Sequence, residues 1–148
     1  MERGFNDGVF TQLLDGDTLD ASILLAPLVK VISPADPMWI ATLDAIGERL
    51  ARGPLVDRYD RGDTDDGLDG DEGAFTICSF WYVEALAMAG RATEARDLFD
   101  RLLSYATPTG LFSEEIGVNG RLLGNFPQAF THLALISAAV RLDEILRE

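Results

Sequence analysis

Two adjacent carboxylates, Glu114 and Glu115, stand in a segment whose neighbours could put them to chemical use. Residues 110–132 read GLFSEEIGVNGRLLGNFPQAFTH, beginning just after one helical pattern has stopped at Thr107-Pro108. Beyond the pair, Asn125-Phe126-Pro127 starts the next helix, with Gln128 in its first turn and His132 one turn further. A carboxylate can take a proton from water, and amide and carboxylate groups can fix several hydroxyls at once. Acids, an amide and an aromatic between two apolar helices therefore suit a sugar site. The competing reading of the same residues is an acidic loop between surface helices.

The elements that must position these groups read as almost all helix. Residues 19–31, LDASILLAPLVKV, are apolar nearly all round, as for a helix buried between others, with Asp17 or Thr18 as cap and Pro27 as a kink. Asp36-Pro37 is an N-cap followed by a proline at the first helical position, and residues 38–52 space Ile40, Leu43, Ile46 and Leu50 along one buried face before Gly53-Pro54. After the long irregular stretch 53–73, helical pattern resumes at 74 and runs to 88 or 89, with Gly90 as C-cap. A further amphipathic helix runs from about 93, with Ala95, Leu98, Phe99, Leu102 and Leu103 on one face. The last spans 127–146 and carries Phe130, Leu133, Ile136 and Val140 inward. Nothing alternates with period two for long enough to be a strand. Short and long connections alternate, which implies antiparallel hairpins whose long loops gather at one end, bringing Arg58, Glu72 and Glu114 into one neighbourhood.

Composition narrows the function classes. The 148 residues fit one domain, 1–148, with a real core. With 25 acidic against 12 basic residues and no basic stripe, nucleic acid and anionic membrane surfaces are disfavoured as partners. Cys78 is the only cysteine, so no intramolecular disulfide forms, and its apolar run AFTICSFWYV marks a buried, inert thiol. The N-terminus lacks a secretory pattern and no segment approaches a bilayer span, so a cytoplasmic location is expected. One His and one Cys offer no zinc or iron site, and the acidic run DRGDTDDGLDGDE fails the EF-hand register; no metal or cofactor is expected.

Along most of its length the chain resembles the family 15 glycoside hydrolases, the group containing glucoamylases and bacterial trehalases. The matching pieces are LDASILLAPLV, the RYD at residues 58–60, DGLDGDEGAFTICSFWYVEAL from Asp66, SEEI and GNFPQAFTH, in the family's order and at family-like spacing. They correspond to the C-terminal part of the family's catalytic domain. The resemblance implies an incomplete (α/α)6 toroid, an arc of about five or six helices. By the same resemblance the upstream half, where the family keeps its general acid, is expected to lie outside these 148 residues.

The resemblance also implies roles. An inverting glycosidase needs two carboxyls roughly 6.5–9.5 Å apart, so adjacent Glu114 and Glu115 cannot both act, because neighbouring side chains point in different directions. The family's base position falls on Glu114, and hydrogen bonding to sugar or loop is left to Glu115. Arg58-Tyr59 is similar to the family's Arg-Tyr pair, whose arginine binds sugar hydroxyls with its planar fork of donors; a loop salt bridge with Asp57, Asp60 or Asp63 is the alternative. Gln128 falls close to a substrate-facing position. Glu72 is either a second acid near the pocket or a charge favourably placed at a helix N-terminus. Phe75, Phe80, Trp81 and Tyr82 invite sugar stacking but at helical spacing suit a core. His132 suits a buried, hydrogen-bonded role.

Two functions follow as expectations. One is half of an inverting α-glucoside hydrolase, glucoamylase- or trehalase-like, acting on maltose, malto-oligosaccharide or trehalose and inactive alone. The other is a non-catalytic sugar-binding or helical scaffold remnant. Half a toroid would expose apolar edges, so a homo-oligomer, or a separate N-terminal half, is expected to cover them.

Overall fold

The computed structural model describes residues 4–59 and 73–147. Among these, the chain forms four α-helices: α1 (Pro37–Arg49), α2 (Thr76–Met88), α3 (Ala92–Leu103) and α4 (Ala129–Leu146). Helix α1 starts as its sequence dictates. Asp36 caps it, accepting the Met38 N–H at 2.9 Å, and Pro37 fills a position whose N–H would be idle. Helix α2 is the centre of the molecule, with ten of its thirteen residues buried. A short turn at Gly90, whose φ of +80° suits glycine, leads into α3. Trp39, Leu43 and Ile46 of α1, Phe80, Val83 and Leu86 of α2, and Leu98 and Leu102 of α3 share one core.

Helices α2 and α4 lie side by side and run the same way. The segment between α3 and α4 crosses both N-termini: the Thr76 N–H donates to the Glu114 carbonyl (2.9 Å), and Thr131 Oγ1 donates to the Ser113 carbonyl (3.2 Å). Two turns further along each helix, Ser137 Oγ donates to Glu84 Oε1 at 3.0 Å. Gly53, just beyond α1, lies beside the end of α3, where an added Cβ would stand 3.5 Å from Arg101 Nη2. The described parts of the two long connections, residues 53–59 and 108–126, thus lie at the N-terminal end of α2.

Three expectations need correction. Residues 19–31 form no α-helix. They make a 3-10 helix, Ala21–Leu25, capped by Asp20 rather than Asp17 or Thr18 (the Asp20 carboxylate accepts Ser22 N–H at 2.7 Å), and then turns through Lys30, whose φ is +62°. Pro27 has no N–H to give to the Ile23 carbonyl, so the tighter winding is not converted into an α-helix.

The inward face of α4 is also different. Phe130, Leu133, Ile136 and Val140 are exposed by 66, 61, 58 and 54 %, and the buried face is Thr131, Ala134, Ala138 and Leu142. The small side chains let α4 approach α2 closely, and the bulky ones are left largely exposed. A cavity of about 200 Å³ opens between Phe130 and Leu133 of α4, Ile77 and Trp81 of α2, and Leu28.

The chain is not purely helical either. Two-residue strands form three small antiparallel sheets: β1 (Phe5–Asn6) with β2 (Val9–Phe10), β3 (Ala51–Arg52) with β4 (Leu55–Val56), and β5 (Ala74–Phe75) with β6 (Glu115–Ile116) and β7 (Leu122–Leu123). The β3–β4 hairpin ends the helical pattern before residue 52, and β5 delays the start of α2 to Thr76. Ladders this short carry no alternating signature.

Candidate active site

The β5–β6–β7 sheet holds Glu115, and Glu114 immediately precedes it, at the N-terminal ends of α2 and α4. Glu115 pairs with Phe75 on one side and Leu123 on the other. Successive side chains of an extended chain turn to opposite sides, and the two carboxylates separate accordingly. Glu115 Oε2 accepts the Gly73 N–H at 2.9 Å. A side chain at residue 73 would stand 2.9 Å from the Ile116 carbonyl oxygen and 3.0 Å from Glu115 Cβ, so only glycine permits this approach.

Glu114 points the other way, to residues 124 and 125. Its Oε2 accepts two hydrogen bonds from Asn125, from the backbone N–H at 3.0 Å and from Nδ2 at 2.8 Å. Glu114 N–H returns a bond to the Asn125 carbonyl at 2.9 Å. Gly124, with φ +70°, makes room, since a Cβ there would lie 2.8 Å from Glu114 Oε2. No donor among the described residues reaches Oε1. One oxygen is held and the other is open, and the half-buried carboxyl retains access to water. This arrangement can accept a proton along a fixed direction.

Around this carboxylate Ser113 and His132 are both tied by hydrogen bonds. Ser113, fully buried, donates from Oγ to the Glu115 carbonyl at 2.6 Å. His132 Nε2 accepts the Phe112 N–H at 3.3 Å while Nδ1 lies 2.7 Å from the Gln128 carbonyl, so a proton on Nδ1 satisfies both ring nitrogens. Its ring meets Phe112 edge-on at 5.9 Å. The histidine ties the site segment to α4 and has no nitrogen left for chemistry. Phe80 and Tyr82 are core residues and Phe75 and Trp81 are half-buried.

The other expected site residues divide. Arg58 lies near the first turn of α2: its carbonyl accepts the Ala21 N–H at 2.7 Å, and its charge acts on Cys78 there. Among the described residues its ion-pair partner is Asp20, with Nε 3.5 Å from Oδ2, rather than Asp57, which pairs with Arg52. Asp60 and Asp63 lie outside the described residues. Tyr59 is half-buried and bridges the backbone of Asp20. Gln128 is the N-cap of α4 rather than a residue of its first turn, and its amide oxygen accepts the Phe130 N–H at 2.6 Å. Asn125-Phe126-Pro127 accordingly precede the helix. Glu72 and the acidic run 60–72 lie outside the described residues. Cys78 is fully buried, and burial pushes its thiol up to about 12, with the Arg58 charge opposing; it is no nucleophile. Among the described residues no cluster of three or more His, Cys, Asp or Glu is placed to hold a metal ion, and no helix is long and apolar enough to cross a membrane.

The structure adds Asn125, Gly124 and Gly73 as residues that shape the site. The only sequence signal for Asn125 is its place after a glycine at the end of the segment that carries the acids.

With this geometry in hand, comparison with known proteins is decisive on family. The model of the glycosyl hydrolases family 15 matches residues 1–140. The chain belongs to that family. It is 54 % identical over 134 residues to a trehalase of Mycolicibacterium smegmatis and 52 % identical over 142 residues to one of Mycobacterium tuberculosis. A Thermoplasma volcanium trehalase is 39 % identical over 150 residues. These matches cover 90, 95 and 99 % of this family 15 chain but only 20, 21 and 24 % of the relatives, so the chain spans less than a quarter of their length. A solved glycosidase superposes with a TM-score of 0.82 at 18 % identity, over 96 % of this chain and 40 % of that one. A variant glycosidase solved in complex with glucose gives a TM-score of 0.80 with the same coverage. The fold is thus that of a glycosidase, carried in part.

Proposed function

We propose that this chain supplies the water-activating side of an inverting α-glucoside hydrolase site, with trehalose as the substrate class and Glu114 as the general base. The observation that carries the reading is the Glu114 carboxylate, with Oε2 held by Asn125 and Oε1 open, in a family 15 chain whose similar relatives are trehalases. In this mechanism a water between Oε1 and the sugar gives its proton to Glu114. Its oxygen attacks C1 from the face opposite the glycosidic bond, and a carboxylic acid across the site protonates the departing oxygen. Arg58 offers donors to the sugar hydroxyls. Glu115, tied to Gly73, keeps the loop at the rim in place.

The acid belongs to the portion of the domain that this chain does not contain. Without it, one wall of the pocket and a term worth typically about 10²–10⁴ in rate are missing. In this reading the described helices belong to an arc of an (α/α)6 toroid, and exposed apolar side chains support it. The Phe130, Leu133, Ile136 and Val140 face of α4 is exposed, and Val29 and Val31 are exposed by 64 and 73 % beyond the 3-10 helix. Exposed apolar patches of this kind mark contact surfaces. The rest of the toroid covers them when present, and a second copy of the chain covers them when it is not.

The test is trehalose hydrolysis by the chain alone and by the chain combined with the acid-bearing portion of a family 15 domain. Turnover is expected only in the combination, and Glu114→Gln abolishes it. Turnover in the combination that survives Glu114→Gln would remove Glu114 from the reaction. A second reading, sugar binding without cleavage, is favoured by the small share of the relatives that the chain spans. Glucose or trehalose binding by calorimetry, with no turnover in the combination, would select it.

A further inference from the structure

We propose that Asn125 is the positioning residue of the site, setting the direction in which the Glu114 carboxylate meets water; this rests on Glu114 being the general base. A glutamate reaches its carboxylate through three rotatable bonds and, left free, would distribute its oxygens over many directions. Here two donors of one residue converge on a single oxygen, the Asn125 backbone N–H at 3.0 Å and Nδ2 at 2.8 Å, both on Oε2. The Glu114 N–H bonded to the Asn125 carbonyl at 2.9 Å closes the pair into a reciprocal clasp. Two bonds to Oε2 fix the carboxylate plane and leave the lone pairs of Oε1 as the place for a water.

Gly124 belongs to the same device. Its φ of +70° and missing Cβ let residues 124 and 125 come up against the Glu114 side chain. Asn125 is itself exposed, so its amide is not explained as a buried group in need of a partner. Its geometry assigns it to the carboxylate rather than to packing.

A side chain acting this way affects the reacting geometry and leaves sugar binding alone. Misplacement of a reacting group by about 1 Å can cost about 100-fold in rate. Asn125→Ala keeps the backbone donor and loses Nδ2, and Asn125→Asp keeps the shape and sets a carboxylate where the donor was. The test is steady-state trehalose hydrolysis by the catalytically complete domain containing this chain, for wild type, Asn125→Ala, Asn125→Asp and Glu114→Gln, with melting temperatures measured alongside. Expected are a kcat loss of about 10-fold for Ala and about 100-fold for Asp with KM unchanged within about two-fold. A role in filling space would spare the isosteric Asp and penalise Ala, and that order overturns the proposal. So does a loss confined to KM, or kcat within two-fold of wild type in whichever variant retains the wild-type melting temperature. A wild-type domain with no Glu114-dependent turnover defeats the reading of Glu114 and the positioning role with it, whereas Glu114 dependence without Asn125 dependence defeats only the latter.

Discussion

Replacing Gly124 by alanine tests the site geometry through stability alone. Gly124 has φ +70°, and an added Cβ would lie 2.8 Å from Glu114 Oε2 and 2.9 Å from Glu114 Cβ. The left-handed backbone costs a residue with Cβ about 1–2 kcal/mol, partly offset by about 0.4–1 kcal/mol from a stiffer unfolded chain, for a net of about 1 kcal/mol. Relieving the contact means displacing Glu114 and weakening two bonds to a carboxylate. Bonds to charged groups are worth about 1.5–3 kcal/mol each when sheltered, and discounting for a half-exposed rim leaves about 1–2 kcal/mol in all. Gly124→Ala is therefore expected to lose about 2–3 kcal/mol. Gly110 supplies the control: its φ is +77° and nothing lies within 4 Å of its added Cβ, so Gly110→Ala loses only the backbone share, about 1 kcal/mol. Urea denaturation of both variants and the wild type reads the difference, and in a thermal scan each kcal/mol corresponds to about 2–4 °C at this size. Equal losses at the two glycines, within about 0.5 kcal/mol, would refute the close approach of residue 124 to Glu114.

Two further outcomes are expected. Cys78 is neutral in the folded chain up to about 12, against 9.0 for an ordinary thiol, and burial raises Tyr82 as well; above pH 9 the unfolded chain loses protons that the folded chain keeps. The Cys78 share of stability is then fully present below pH 9 and falls by up to about 1.4 kcal/mol per pH unit as pH rises toward 12, and Cys78→Ala removes that share of the slope in denaturation curves at pH 8 and 10.5. The open face of α4 is expected to hold copies of the isolated chain together, so light scattering shows a dimer or larger species. Phe130→Asp with Ile136→Asp, removing burial worth about 1.5–3 kcal/mol each, yields monomers; a monodisperse wild-type monomer would count against this use of the face.

What the sequence made legible follows from how local each signal is. Asp36-Pro37 and Gly90 act within one turn, and both stand where their chemistry places them. Cys78 in its apolar run is buried for the same local reason. The apolar stretch 19–31 failed because all-round hydrophobicity says that a segment is buried, not how it is wound, and Pro27 removes the donor that α-winding needs. The face of α4 failed because both of its sides are apolar, and which one packs depends on how closely α2 can approach. The acidic motif located Glu114, yet its Asn125 partner is eleven residues away across a two-strand turn that no periodicity announces. Arg58 was read beside Asp57, Asp60 and Asp63; Asp57 pairs with Arg52 instead, Asp60 and Asp63 lie outside the described residues, and Asp20, brought in by the bridge to Tyr59, is a partner no spacing announced.

The role of Glu114 is tested most directly by azide rescue of Glu114→Ala in the complete catalytic domain, with the sugar product followed by proton NMR. Azide is a nucleophile that needs no base, and the shortened side chain leaves it space on the face where water is activated. The expected result is loss of trehalose hydrolysis on substitution and, on adding azide, release of β-glucosyl azide, the inverted product. Undiminished hydrolysis in Glu114→Ala, or azide-dependent product of retained configuration, would contradict the assignment of Glu114 as the group that activates water.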